Sequence, residues 1–300
     1  MRYLISLFSL LLLAYSTLAQ TAPVGGGRVE HLADFQSKYV QPRSVDVWLP
    51  AGYPKPGMKY PVLYMHDGQN LFSPVTAYGG VAWEVDSVLT ALNQQGLVRE
   101  CIVVGIWNAS LRMREYTPAK PVGLLTATQR QAVEQEQGGP PLSDDYLKFV
   151  VTELKPYIDG HYRTAARRTS TFIAGSSMGG LISLYAALEY PKVFGGAACL
   201  STHWPLSLQK NNAAFTDALV AYLPAKLHHQ PRPLLYFDYG TATLDAWYAN
   251  HQLRIDQALM AAGYPAHKYM TRNYTGAAHN EAAWKRRVAV PLQFLLSARP

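Results

Sequence analysis

Short β-branched or apolar runs that alternate with longer stretches of helical period predict an α/β fold, a mainly parallel central sheet with helices on both faces. Three observations carry it. The strand-like runs are continuously apolar rather than alternating, as strands buried on both faces must be. Segments of helical period separate several of them. About half of the 300 residues are apolar (49%), enough for one sizeable core.

The chain opens on Met1-Arg2-Tyr3, an apolar stretch over residues 4–15, and then Ser16-Thr17-Leu18-Ala19, with small residues where a signal peptidase inspects. This is the pattern of a secretory signal over residues 1–19, and cleavage is expected after Ala19. The apolar part is shorter than the ~20 residues a bilayer requires, and no later stretch qualifies. A secreted or periplasmic protein without a membrane span is therefore expected. Residues 20–27, ending in Gly25-Gly26-Gly27, read as a flexible leader, and 28–300 as a single domain.

Strands are expected at 44–49, 61–65, 101–106, 171–174, 196–200 and 233–237, with a further strand-like run over 268–274. A helix is expected over 146–158, where Leu147, Val150, Val151, Leu154 and Ile158 share one face and Asp144 and Asp145 stand at the cap. A second opens at Gly179-Gly180 and is stopped by Pro191; a third covers 246–260 and ends at Ala261-Ala262-Gly263. Residues 119–141 are rich in Gln and close on Gly138-Gly139-Pro140-Pro141. They read either as an excursion over the sheet's C-terminal edge, acting as a lid, or as a disordered surface loop.

The net charge of +7 is scattered, and Ala165-Ala166-Arg167-Arg168 and Lys285-Arg286-Arg287 are the longest basic runs. That is too thin for a nucleic-acid surface. Cys101 and Cys199 lie in apolar, strand-like runs and read as buried free thiols rather than a bridge. His228 and His229 are adjacent and have no Cys or carboxylate cluster beside them, which argues against a metal site.

The chemistry concentrates around Gly175-Ser176-Ser177-Met178-Gly179, which follows a strand directly and precedes a helix. That context makes a G-x-S-x-G match a nucleophile elbow and the fold an α/β-hydrolase. Gly175 and Gly179 give the turn room, and the helix N-terminus beyond it favours developing negative charge. Ser177 is the expected nucleophile. A serine hydroxyl needs a base to take its proton, and in this fold the base follows the nucleophile and the acid. His279, in the loop Thr275-Gly276-Ala277-Ala278-His279-Asn280-Glu281 between a strand-like run and the final helix, is the expected base. Two carboxylates compete for the orienting acid after strand 233–237: Asp238 at its end and Asp245 beyond the Gly240 turn. Asp245 is favoured because acids in this fold usually lie just past the strand.

Two oxyanion donors are expected, the Met178 N–H and the Gln69 N–H of the loop after strand 61–65, with Asp67 tying that loop down. Substrate contacts are expected from Trp204, Trp107 and Arg114, the last with Arg112 beside it. The aromatic faces suit an aryl or sugar group and the arginines an acidic one.

These segments together resemble the putative-esterase family, whose members include enterochelin esterases, feruloyl esterases, S-formylglutathione hydrolases and mycolyltransferases. The resemblance rests on Asp67-Gly68-Gln69-Asn70, Val104-Gly105-Ile106 with Arg114-Glu115-Tyr116-Thr117-Pro118, the Gly175–Gly180 elbow and Gly276-Ala277-Ala278-His279-Asn280-Glu281. It spans about residues 28–297 and implies a lidless or lightly covered α/β-hydrolase with no cofactor, acting on small-molecule, carbohydrate or siderophore esters. In relatives the acid often stands three residues after the turn glycine, which is Thr243 here. Acyl transfer to a sugar or lipid alcohol would use the same residues as hydrolysis. A non-catalytic binding protein on this scaffold is the alternative from another class.

Overall fold

The computed structural model describes residues 26–228 and 231–298. The expected signal over residues 1–19, most of the expected leader, and His229 lie outside the described residues. Strand β1 (Arg28–Phe35) leads into β2 (Arg43–Leu49) and β3 (Val62–His66). Helix α1 (Val85–Gln94) precedes β4 (Ile102–Ile106). Four short helices follow: α2 (Arg112–Glu115), α3 (Ala119–Gly123), α4 (Ala127–Gln137) and α5 (Ser143–Lys148). A π-helical segment, Phe149–Leu154, joins α5 to α6 (Lys155–His161). The second half alternates strictly: β5 (Thr171–Ser176), α7 (Met178–Glu189), β6 (Gly196–Leu200), α8 (Ala214–Leu227), β7 (Leu234–Gly240), α9 (Tyr248–Ala261) and β8 (Tyr269–Tyr274). Helices α10 (Glu281–Arg287) and α11 (Ala289–Leu296) close the chain's described part.

The eight strands form one sheet in the order β1-β2-β4-β3-β5-β6-β7-β8. β1 and β2 pair antiparallel at one edge, β2 meets β4 antiparallel, and every pairing from β4 to β8 is parallel. The parallel strands therefore end at a common edge, with Ser176, Leu200 and Asp238 in register across β5, β6 and β7.

Successive side chains of a strand point to opposite faces, and here each face has its own core. Val62 and Tyr64 join Tyr146, Leu181, Phe215 and Ile255 from the helices on one side. Leu63 and Met65 join Leu89, Trp284 and Leu292 on the other. Such two-sided burial is why the strand sequences read as unbroken apolar runs.

The expected strands are all present, each within one to three residues of the bounds read from sequence. β1 is an addition: it is an edge strand of mixed burial, and its sequence RVEHLADF carries too many polar residues to stand out. The expected helix over 146–158 is one continuous rod whose middle widens into the π segment. Residues 119–141 form α3 and α4 rather than a loop, with a capping box at Thr126 and Gln129 and Gly138 in the left-handed region ending α4. Cys101 and Cys199 are both free and buried. No helix among the described residues is long and apolar enough to cross a membrane.

The Arg-Glu-Tyr-Thr-Pro segment serves this fold as a buried tie. Arg43 and Glu115, 4% and 1% exposed, meet in a two-pronged ion pair with Nη1···Oε2 2.8 Å and Nη2···Oε1 2.7 Å. Tyr116, fully buried, stacks obliquely on the His66 ring. Removing one partner of such a pair strands the other charge. Arg43→Met is expected to cost about 3–5 kcal/mol in urea-unfolding free energy. A loss below about 1 kcal/mol would show that Glu115 is satisfied without it.

Candidate active site

Ser177 follows β5 directly and has φ 58° and ψ −122°, a strained position for a residue with a side chain. Neighbours hold it there. Its N–H donates to Leu200 O at 2.9 Å, and its carbonyl accepts from the N–H groups of Gly180 and His203 at 3.0 and 3.2 Å. The flanking glycines are a packing requirement: a Cβ on Gly175 would come within 2.8 Å of the Gly179 backbone. The strain aims the Ser177 hydroxyl out of the sheet edge, where Oγ lies 2.9 Å from His279 Nε2.

His279 sits in the loop between β8 and α10, and this loop is sewn to the one after β7. Thr241 and Ala242 N–H groups donate to Ala277 O at 3.1 and 3.0 Å. The Gly276 N–H donates to Thr241 Oγ1 at 2.7 Å, and the His279 N–H to Thr243 Oγ1 at 2.8 Å. The Thr243 hydroxyl thus holds the His loop by its backbone. Gly240 allows the two loops to close up, since a Cβ there would lie 2.1 Å from Ala277 O.

His279 Nδ1 is 2.6 Å from Asp245 Oδ1. The other carboxylate oxygen, Oδ2, accepts from the Gly240 N–H and from Ser201 Oγ, both at 2.6 Å. Burial alone would raise the Asp245 carboxyl, but the hydrogen bonds from His279, Ser201 and Gly240 carry it below the usual carboxylate range. Asp245 is thereby kept ionised beside the imidazole. Asp238 points elsewhere: its oxygens accept from Arg287 Nη2 at 2.9 Å, the Ser201 N–H at 3.1 Å and Tyr236 Oη at 3.0 Å. The structure thus brings Ser177, His279 and Asp245 into one chain of contacts and leaves Asp238 out of it.

Met178 begins α7, so its N–H is one of the helix's first donors and has no acceptor within the helix. Gln69 lies in the turn Gly68–Asn70 after β3. That turn presses on β4, because a Cβ on Gly68 would stand 2.3 Å from the Gly105 backbone. Its anchor is Asp67, whose carboxylate takes Arg112 Nε and Nη2 at 2.6 and 2.8 Å and Asn108 Nδ2 at 2.7 Å. Burial would raise the Asp67 carboxyl, but Arg112 and Asn108 hold it below the usual range. Asp67 is therefore a fixed anion engaged on both oxygens.

A cavity of about 390 Å³ opens over Ser177 and His279, lined also by Gln69, Tyr78, Arg112, Glu281 and Trp284. A wider hollow of about 590 Å³ lies between α4 and residues 205–215, but neither Ser177 nor His279 lines it. Residues 119–141 contribute nothing to the lining of the smaller cavity, so in this structure they do not cover it.

The three expected substrate contacts are not at the cavity. Trp204 is fully buried and packs on Phe237 with ring centroids 6.0 Å apart. The loop after β6 turns inward at Ser201, φ 41°, and carries the ring into the core. Trp107 lies on the antiparallel side, its Nε1–H donating to Asp46 at 2.6 Å and its ring against His31. Arg114 turns away to donate from Nε to Pro140 O at 2.9 Å, bracing the end of the 119–141 excursion. Arg112, two residues earlier, takes the place expected of Arg114. Glu281 and Trp284 were missed altogether. Their signal is spacing, since a residue two or five beyond His279 in a helix starting at Glu281 rises from the same edge. Among the described residues no group of three or more His, Cys, Asp or Glu converges as metal ligands do.

A family profile described as Putative esterase matches residues 37–295. The chain belongs to this esterase family. Among curated relatives, the uncharacterized protein YbbA of Bacillus subtilis (strain 168) is 28% identical over 163 residues, covering 54% of this chain and 58% of its own. The ferri-bacillibactin esterase BesA of the same strain is 26% identical over 198 residues, covering 60% of this chain and 64% of its own. The chain thus matches about three fifths of the length of these two relatives. A solved ferulic acid esterase superposes with a TM-score of 0.64 at 22% identity, covering 90% of this chain and 98% of that one. The α/β-hydrolase fold of these esterases accounts for the eight-stranded, mainly parallel sheet with helices around it. A carboxylic-ester hydrolase is the enzyme class with which the family is consistent.

Proposed function

We propose that the protein is a serine hydrolase of carboxylic esters that works through an acyl-enzyme, with Ser177 as nucleophile, His279 as base and Asp245 as orienting acid. The observation that carries this reading is the unbroken line from Ser177 Oγ to His279 Nε2, 2.9 Å, and from His279 Nδ1 to Asp245 Oδ1, 2.6 Å. Asp245 holds the proton on Nδ1 and leaves Nε2 free to accept from Ser177. As Oγ adds to the ester carbonyl its proton passes to Nε2, and the carbonyl oxygen becomes an oxyanion facing the Met178 and Gln69 N–H groups. Collapse expels the alcohol, which takes the proton from Nε2. Water then attacks the acyl group by the same relay and releases the acid.

The cavity favours an ester of a hydroxylated aromatic acid. Tyr78 and Trp284 offer aromatic surface, and Arg112, Asn108 and Glu281 offer polar partners around it. The name of the solved neighbour, a ferulic acid esterase, supports the same substrate class. Export to the periplasm or medium is part of the proposal and rests on the residue pattern at 1–19. A burst of phenol from an activated phenyl ester, followed by slower turnover, is expected, together with cleavage of feruloyl or catecholate esters in preference to simple acetyl esters. No turnover on any of them would remove the reading.

A further inference from the structure

A second, fully buried polar group stands behind the acid. Ser201, just past β6, is fully buried with φ 41°. Its Oγ touches three partners: Trp284 Nε1 at 2.9 Å, Arg287 Nη2 at 2.6 Å and Asp245 Oδ2 at 2.6 Å. Indole N–H and guanidinium are donors only. They occupy the lone pairs of Ser201, so its single hydroxyl proton is directed at Asp245. Arg287, 4% exposed, uses the same Nη2 to reach Asp238 Oδ1 at 2.9 Å and stands 3.7 Å from Asp245 Oδ2. Its guanidinium lies over the Tyr274 ring at 5.0 Å. One cation is thus shared between two buried carboxylates, only one of which meets the histidine.

Resting on the triad reading above, we propose that Arg287 is a positioning residue for the acid: through Ser201 it fixes the orientation of Asp245, and its charge, balanced by Asp238, sets how tightly the Asp245–His279 pair holds a proton. Asp238 is not a spare acid but the counter-charge that keeps Arg287 from neutralising Asp245. Burial pushes the Asp238 carboxyl up to about 6 against the pull of Arg287, so the balance is a close one. The other titratable groups facing the pair are His203 after β6 and Tyr248 on α9, whose rings lie 6.5 and 5.7 Å from that of His279. Glu281 on α10, the Asp67–Arg112 pair from the turn after β3 and from α2, and Tyr236 and Tyr274 beside Asp238 and Arg287 complete the set. Burial holds His203 down at about 3, so it stays neutral throughout the working range.

The signs follow from the charges. Without Arg287 the pair sits in a more negative environment and holds its proton more tightly, so free imidazole appears only at higher pH. Without the Asp238 charge the opposite holds. The test is the acidic limb of kcat/KM against pH on an activated phenyl ester, for the wild type, Arg287→Gln, Asp238→Asn and the double variant. Arg287→Gln is expected to move the limb up by about half a pH unit or more, with a loss of roughly tenfold at its optimum. Asp238→Asn is expected to move it down, and the double variant to return it towards the wild-type position. The double variant also serves if Arg287→Gln alone fails to fold through its stranded carboxylate, because it removes both charges together. Limbs that coincide in all four proteins, or that shift in the same direction in both single variants, would overturn the proposal. The triad reading fails separately, through Ser177→Ala retaining activity, whatever the limbs do.

Discussion

Ser177→Ala is expected to lower kcat/KM on activated esters by about 10⁴-fold or more while leaving the unfolding midpoint close to that of the wild type. The size follows from what the hydroxyl does: without a nucleophile there is no acyl-enzyme, and only the oxyanion donors and binding contacts remain to assist water. The fold has little to lose. Ser177 Oγ contacts His279 Nε2, and the strained turn is held by backbone bonds to Leu200, Gly180 and His203 that alanine keeps. Steady-state kinetics with urea unfolding of the same preparation checks both halves. A residual rate within tenfold of the wild type would assign the nucleophile elsewhere.

Asp245→Asn is expected to come next in effect, roughly 10⁴-fold in kcat. Asn keeps the shape of the carboxylate, but its Nδ2 donates where Oδ1 or Oδ2 accepts. Either orientation has a cost. If Nδ2 replaces Oδ1, it faces His279 Nδ1 and favours the tautomer with the proton on Nε2, which is then unable to take one from Ser177. If Nδ2 replaces Oδ2, it meets two donors, the Gly240 N–H and the Ser201 hydroxyl. Asp238→Asn should cost far less in rate, since neither of its oxygens reaches His279 and an amide oxygen can still accept from the Ser201 N–H. Equal losses in the two variants would mean that the carboxylates act as one unit.

The parts of this site that the sequence displays are those that need a particular residue type at a fixed spacing. A serine in a strained strand-to-helix turn needs small residues two positions to either side, and Gly175 and Gly179 stand there. A base loop between the last strand and a closing helix leaves His279 as the histidine in the right place. The acid was harder to read, because Asp238 and Asp245 both follow the same strand. The choice turns on geometry across loops, where Thr241, Thr243 and Ala277 tie the acid loop to the His loop. Nothing in the spacing of those residues announces that tie.

Trp204, Trp107 and Arg114 show the converse limit. Aromatic residues just past strand ends lie at the functional edge in sequence, but whether a ring faces the cavity or the core depends on one backbone turn. At Ser201 the chain turns with positive φ and Trp204 goes inside. Arg112 and Arg114 differ by two positions in a four-residue helix, which places them on nearly opposite sides: one holds Asp67, the other the Pro140 carbonyl. The Arg287 network was invisible for a simpler reason. In Lys285-Arg286-Arg287 three cations look alike, yet Arg287 alone of the three is buried, at 4% exposure. Helix α8 escaped because it is apolar on most sides and contains Pro224, which blurs its period, whereas α1, with Val85, Leu89 and Leu92 on one buried face, carries a period that the sequence does display.

The most direct test of a working Ser177–His279–Asp245 relay is stoichiometric reaction with a fluorophosphonate, followed by intact-mass and peptide analysis. An activated serine hydroxyl attacks such a probe without any particular ester being recognised, so the result does not depend on the natural substrate. The account predicts one phosphonyl group per chain, on Ser177, with labelling lost in Ser177→Ala and strongly slowed in His279→Ala and Asp245→Asn. An unlabelled wild-type protein, or an adduct on a serine other than Ser177, would contradict it.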